Sequence, residues 1–495
     1  MNKTVFLSLF VSTIIIVGCN KNIDTGKFVT ATCPIDVPEG LEESGKFTYG
    51  YMEVPELHEN PTGKTIELAI AIHKCQGDSA SHEPMVLVTG GPGMSDIDTF
   101  VPMLFGDMGG LFLNNRDIVI IELRGLKYSK PNLLCPEIDS LQLFLADKHL
   151  STEHIIELYM DSMQSAYKRF EKEGVNLNAF NDYEIANDIV FVMENLDYEK
   201  FSVFGSSFGT LVAQHLLLNH PERLVSASMN AVVDFNRGLV KMHSNSIQTL
   251  ENIFQRCEAN PELSKAYPDL KYRFLSTLKR LNESPDTLDI EYWGNKEMYK
   301  IPLDGNKLSV WLFTQMYKDG QIPSTLHKIL SGDYSQIIQD PGLIFPLPEF
   351  SNGLTWSILL SEYSNFEDED IAINNEYIDF VKGCGTMIFT PYFLNHAKEV
   401  WKVNDLQNKN ISLVSEVPTL MLGGEMDHVC PPNYAIELSK NLNNSYLYTF
   451  PGIAHSPIDI GLCAIMMMKQ FVDNPSKEPD SSCMQQFQSG FMLPE

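Results

Sequence analysis

The stretch FSVFGSSFGTLVAQHLL, residues 201–217, most limits what this chain can fold into. A short apolar run leads through Gly205-Ser206-Ser207-Phe208-Gly209 directly into a helix-like run. The pattern predicts a buried strand, a very short turn and a helix, with Ser207 held at the turn in a strained backbone conformation. Side chains two residues before and two residues after such a serine would collide with the adjoining helix and strand, so glycine is required at both places. This is the G-x-S-x-G nucleophile elbow. Ser206 is the neighbouring alternative, but Ser207 alone has glycine at both offsets. The helix start directs N–H groups at the site, which makes the Phe208 amide a candidate oxyanion donor.

A serine hydroxyl needs a base to take its proton and a carboxylate to orient that base. In this architecture both follow the serine in chain order, each after a late strand. PTLMLGGEMDHVCPP (418–432) offers Asp427, with Glu425 as the alternative acid and His428 as a loop neighbour. YLYTFPGIAHSP (446–457) offers His455. A second oxyanion donor is expected from VLVTGGPGMSD (86–96), where the glycines, Gly91 among them, let backbone amides approach a substrate oxygen.

The surrounding chain repeats this grammar. KFTYGYMEV (46–54) and KTIELAIAIHK (64–74) alternate like an antiparallel hairpin. Short apolar runs starting at Pro84, Asp117, Lys200, Arg223 and Pro418 read as buried parallel strands. DYEIANDIVFVMENL (182–196) is helix-periodic, with Ile185, Ile189, Val192 and Leu196 on one stripe. The alternation predicts an α/β fold, a mostly parallel sheet flanked by helices. It lapses from about 236 to 409, where the chain is helix-like and irregular, and then resumes. The expected organisation is a core over 31–235 and 410–495 with an inserted, mainly helical cap over 236–409, above the strand ends where such sheets place their sites. The 495 residues suit one large domain with an insertion, or two domains.

The N-terminus predicts export. Lys3 precedes a largely apolar stretch of thirteen residues, Val5–Val17, too short to span a bilayer as a helix. Ile16-Val17-Gly18-Cys19 resembles a bacterial lipobox, which implies a signal peptide over 1–18, a lipidated Cys19, a tether over 19–30 and a place in the cell envelope. No membrane contact beyond that anchor is expected. The net charge of −28 argues against a nucleic-acid partner. Eight further cysteines allow disulfides in an exported chain, without specifying their pairing. With no CxxC or closely spaced Cys/His set, no metal site is expected, and the serine mechanism calls for no cofactor.

Taken together, GGPGMS (90–95), ELRGLKYSKPNLLC (122–135), residues 186–224, GGEMDHVCPP (423–432) and PGIAHSP (451–457) resemble the proline iminopeptidase and tripeptidyl aminopeptidase family of α/β hydrolases. The resemblance implies the α/β-hydrolase fold and a serine peptidase acting on peptides with free N-termini. It implies Ser207 as nucleophile, Asp427 as acid, His455 as base, and Gly91 and Phe208 as oxyanion donors. It also implies a disulfide between Cys463 and Cys483, and a cap carboxylate, Glu362 in SILLSEY (357–363), for the substrate's α-ammonium. The chain departs from the pattern at Thr89, where a histidine is usual, at Glu122-Leu-Arg124-Gly125-Leu-Lys127, and at Leu263, near an expected cysteine. An esterase, lipase or thioesterase would use the same triad, and a non-catalytic binding module would keep only the fold. Carboxylates near the acyl side favour the peptidase, and a wide apolar tunnel favours the esterase.

Overall fold

The computed structural model describes residues 25–77, 80–318, 321–347, 349–363, 375–383, 390–406, 411–491 and 493. Cys19, the signal peptide, the start of the tether and Cys384 lie outside them.

The strands are β1 Phe28–Thr30, β2 Phe47–Pro55, β3 Thr65–His73, β4 Met85–Val88, β5 Ile118–Ile121, β6 Phe201–Ser206, β7 Leu224–Asn230, β8 Asp286–Glu291, β9 Met298–Leu303, β10 Thr419–Gly424 and β11 Ser445–Phe450. Nine of them form one sheet in the order β1-β2-β3-β5-β4-β6-β7-β10-β11. The run from β5 to β11 is parallel, while β1, β2 and β3 add on antiparallel. The predicted hairpin is therefore present, with Gly50 opposite Ile70. Phe28–Thr30, at the end of the stretch read as a tether, pair with β2 instead of hanging free.

The central strands β4, β5, β6 and β10 are buried along their length apart from the Ser206 end of β6, because helices cover both faces. On one face lie α1 (Asp96–Phe105), α2 (Asp107–Leu113) and the C-terminal helix Leu462–Asp473. Between β5 and β6 come α3 (Pro136–Ala146), α4 (Thr152–Glu173) and α5 (Asp182–Asn195). On the other face α5 and α6 (Gly209–Asn219) pack, with Ile185, Ile189 and Val192 fully buried as their spacing requires.

Between β7 and β10 the chain forms the predicted cap, mostly helical, starting with α7 (Met242–Ala259) and including the β8–β9 hairpin. The cap has a contribution that the sequence did not announce. Within the first core segment, α4 projects Tyr159 onto Phe393 at 5.8 Å, and Tyr167 and Phe170 onto Trp401 at 5.9 and 6.0 Å. The roof over the site is thus built from two insertions. Cys463 and Cys483 are joined, as the resemblance implies, tying the C-terminal helix to the tail.

Candidate active site

The elbow is formed as its glycines demand. Ser207 has φ +52°, a left-handed conformation that costs a non-glycine residue about 1–3 kcal/mol. Its amide donates to Asn230 O at 2.8 Å, which pins the turn to the end of β7. A Cβ on Gly205 would overlap the Gly209 carbonyl, and one on Gly209 would overlap the carbonyl oxygens of Val88 and Thr89. Ser206, the neighbouring alternative, finishes β6 and accepts a hydrogen bond from Asn230 Nδ2 at 2.9 Å.

The predicted acid and base meet. Asp427 is 1% exposed, and both of its carboxylate oxygens lie 2.9 Å from His455 Nδ1. Its Oδ1 also accepts the Val429 and Cys430 amides at 2.8 Å each, so the loop's own backbone fixes the carboxylate. Glu425 points elsewhere, accepting the Gly452 amide at 2.7 Å and lying 3.6 Å from Arg256. His428 is fully buried between Phe313 and Tyr317, and burial pushes its imidazole down to about 3.

Ser207 and His455 line one cavity of about 760 Å³. A residue that the sequence analysis passed over joins them. The Cys430 thiol lies within 4.8 Å of ligand atoms of both Asp427 and His455, and the nearby Ser207 side chain acts to lower its pKa. Burial raises that thiol well above its ordinary value, so it stays protonated. Only its place two residues beyond His428, in the acid loop, could have flagged it. Tyr317, from the cap, stands edge-on to His455 with ring centroids 5.2 Å apart.

Gly91 also lines the cavity, with φ +52°. Neither its amide nor that of Phe208 has a hydrogen-bond acceptor among the described residues, which leaves both available to an oxyanion. The Gly91 loop is braced from below. Asp96 accepts the Thr89 amide at 2.7 Å, and Glu122 accepts from Ser95, Ile97 and Tyr128. Burial, partly offset by those donors, pushes Glu122 up to about 7, and burial beside Glu122 raises Asp96 too. Arg124 is fully buried and grips Asp188 on α5 through two hydrogen bonds of 2.7 and 2.6 Å. The altered Glu122-Leu-Arg124-Gly125 motif therefore anchors the loop after β5.

Glu362 does not reach the cavity, contrary to its expected role at the substrate's ammonium. Its Oε1 accepts the Asp182 amide at 2.5 Å, at the start of α5, and its Oε2 lies 3.7 Å from His215. The acid at this position serves a helix N-terminus. Among the described lining residues the acids are Asp304 and Asp459. Asp304 is buried and already bonded to the Lys307 amide and to His149, at 2.8 and 2.9 Å. Asp459 is exposed, four residues after His455.

Residues 83–263 match the family described as alpha/beta hydrolase fold, and residues 388–483 match the one described as TAP-like protein. This is the α/β-hydrolase fold. The chain is 22% identical over 288 residues to a "Probable proline iminopeptidase" of Leptolyngbya boryana, covering 58% of this chain and 69% of that one. It is 22% identical over 214 residues to "Serine protease Hip1" of Mycobacterium bovis, covering 43% of this chain and 41% of that relative. Among solved structures it resembles the proline iminopeptidase of Mycobacterium smegmatis at 12% identity, covering 86% of this chain and 98% of that one with a TM-score of 0.37. An esterase from Exiguobacterium antarcticum is also similar at 12% identity, covering 83% and 97%, with a TM-score of 0.34.

Proposed function

We propose that this α/β hydrolase is a serine hydrolase working through an acyl-enzyme on Ser207. Ser207 Oγ attacks the substrate carbonyl while His455 takes its proton, and Asp427 steadies the imidazolium. The Gly91 and Phe208 amides hold the oxyanion. His455 then protonates the leaving group, and water repeats the sequence to release the acid. The observation that carries this reading is the buried Asp427–His455 pair, 2.9 Å apart, opening on the cavity that Ser207 lines.

Its leaving group is an amine, and its substrates are peptides with free N-termini. The motif set and the similarity to TAP-like and iminopeptidase proteins support this. With Glu362 engaged at α5, Asp459 is the residue placed to receive the α-ammonium. A panel of aminoacyl arylamides and their N-acetylated counterparts tests it. Turnover should depend on the free amine, and equal turnover of the acetylated set would refute the exopeptidase.

One observation favours a second reading, an esterase. Apolar side chains dominate the cavity wall, and one of its two described acids is already paired. The same panel run beside acyl esters separates the two. Export and lipid anchoring at Cys19 belong to the proposal as well. A Cys19→Ala chain should leave the membrane fraction, and membrane retention of processed Cys19→Ala protein would count against the anchor.

A further inference from the structure

The cavity does not stop at the cap. Below Ser207 it continues along the sheet face covered by α1, α2 and the C-terminal helix, where core packing is expected. Leu87, Phe204, Phe100, Leu104, Phe112 and Met468 line it there, and each keeps 4–6% exposure. These side chains belong to the apolar layer between the sheet and those helices, so the cavity enters what is otherwise close-packed core.

This arm of the cavity has a direction. Its wall on β4 runs from Thr89 at the mouth to Met85 at the strand's start, with Ile118 of β5 beside Met85 in register. Met85 and Ile118, 0% and 1% exposed, close its end, and four residues of strand at ~3.3 Å each put that end roughly 13 Å from the mouth. Among the described lining residues from β4 to Thr89, β5, β6, α1, α2 and the C-terminal helix, only Thr89, Thr99 and Ser206 are polar, and none is charged. An ammonium or a carboxylate taken into it would lose its water without gaining a partner, a loss of several kcal/mol. An apolar chain would gain from every methylene buried.

We propose that this arm is the acyl-side subsite, and that it binds an unbranched apolar chain carried by the carbonyl that Ser207 attacks. At roughly 1.3 Å of advance per carbon–carbon bond, the arm takes about eight to ten carbons. The proposal rests on the acyl-enzyme reading and holds for either leaving group. The Ser207 Oγ–acyl bond forms as the bond to the leaving oxygen or nitrogen breaks, the serine proton passes through His455 to the leaving group, and water releases the fatty acid. The chain belongs either to a fatty-acyl group or, for its first few atoms, to the side chain of an N-terminal residue.

The test measures kcat/KM for p-nitrophenyl esters from acetate to dodecanoate, and for alanyl and norleucyl p-nitroanilides, in the wild type, Leu104→Trp, Ser207→Ala and Met103→Trp, Met103 being the α1 residue beside Leu104 that also lines the cavity. For esters, kcat/KM should rise about threefold to fourfold per methylene and level off near the octanoate and decanoate. Both tryptophan variants should abolish that rise while leaving acetate turnover within about threefold, which also reports that they fold. Norleucyl over alanyl preference with flat esters would support the arm with an N-terminal side chain as its occupant. A flat profile in both series, or tryptophan variants that depress acetate and octanoate equally, would overturn the proposal while leaving the hydrolase standing. Absence of any Ser207-dependent turnover would overturn the acyl-enzyme reading and the arm with it.

Discussion

Two of the buried acidic clusters among the described residues, one at Asp427 and one at Asp182, are compensated in opposite ways. Around Asp427, one carboxylate meets two backbone amides and an imidazole, and it sits behind the wall of an open cavity. At the junction of cap and core, Asp182 and Glu362 face each other beside His215, and none of the three lines the cavity. Burial and the adjacent Glu362 raise Asp182 well above the ordinary carboxylate range. Burial lowers His215, which keeps the imidazole from adding a positive charge beside them. Burial therefore marks both clusters, and only the direction of their hydrogen bonds separates a carboxylate that steers a base from one that fastens a helix.

The contrast is broken most directly by exchanging each carboxylate for its amide. Asp427→Asn should lower kcat by about 10⁴-fold, because the amide no longer holds His455 in the required tautomer. Glu362→Gln should leave kcat within about threefold. Steady-state kinetics on any substrate turned over by the wild type checks both, and comparable losses would erase the distinction. A third buried carboxylate sharpens it. Asp188 is held by the buried Arg124 guanidinium, so Arg124→Ala should destabilise the fold by about 3–5 kcal/mol, read as a shift in the urea midpoint. A shift below about 1 kcal/mol would mean that the Arg124 pair is not what holds the β5 loop.

The smallest effect is in pH dependence. Asp182 keeps its proton in the folded chain above 3.8, where the unfolded chain has released it. Its contribution to stability is therefore complete at low pH and declines as pH rises through the folded value. Glu362→Gln removes the neighbouring charge and should flatten the fall in urea midpoint between pH 4.5 and 8, relative to wild type, by on the order of 1 kcal/mol. Parallel profiles would show that the two carboxyl groups do not feel each other.

What the sequence disclosed follows the same divide. The elbow was legible because its requirement is local: Gly205 and Gly209 must be bare where backbone passes within contact, and no distant residue alters that. Asp427 and His455 were legible because each follows a strand in a fixed order. Glu362 was placed wrongly because its partner, the Asp182 amide, lies 180 residues earlier, and nothing near Glu362 encodes that meeting. The residues that form α3 and α4 fell inside the expected core over 31–235, and nothing local in them names the cap surface that α4 covers. The apolar arm was the least legible feature. Phe100, Leu104, Phe204 and Met468 look like any core residues, and a gap among them is absent volume that no single position specifies.

The account turns on Ser207 as the atom that carries the acyl group. Treating the protein with an alkyl fluorophosphonate and mapping the adduct by mass spectrometry tests it most directly. One equivalent on Ser207, lost in Ser207→Ala and slowed by orders of magnitude in His455→Ala, is the predicted result. An adduct on Ser206, or labelling indifferent to His455, would contradict it.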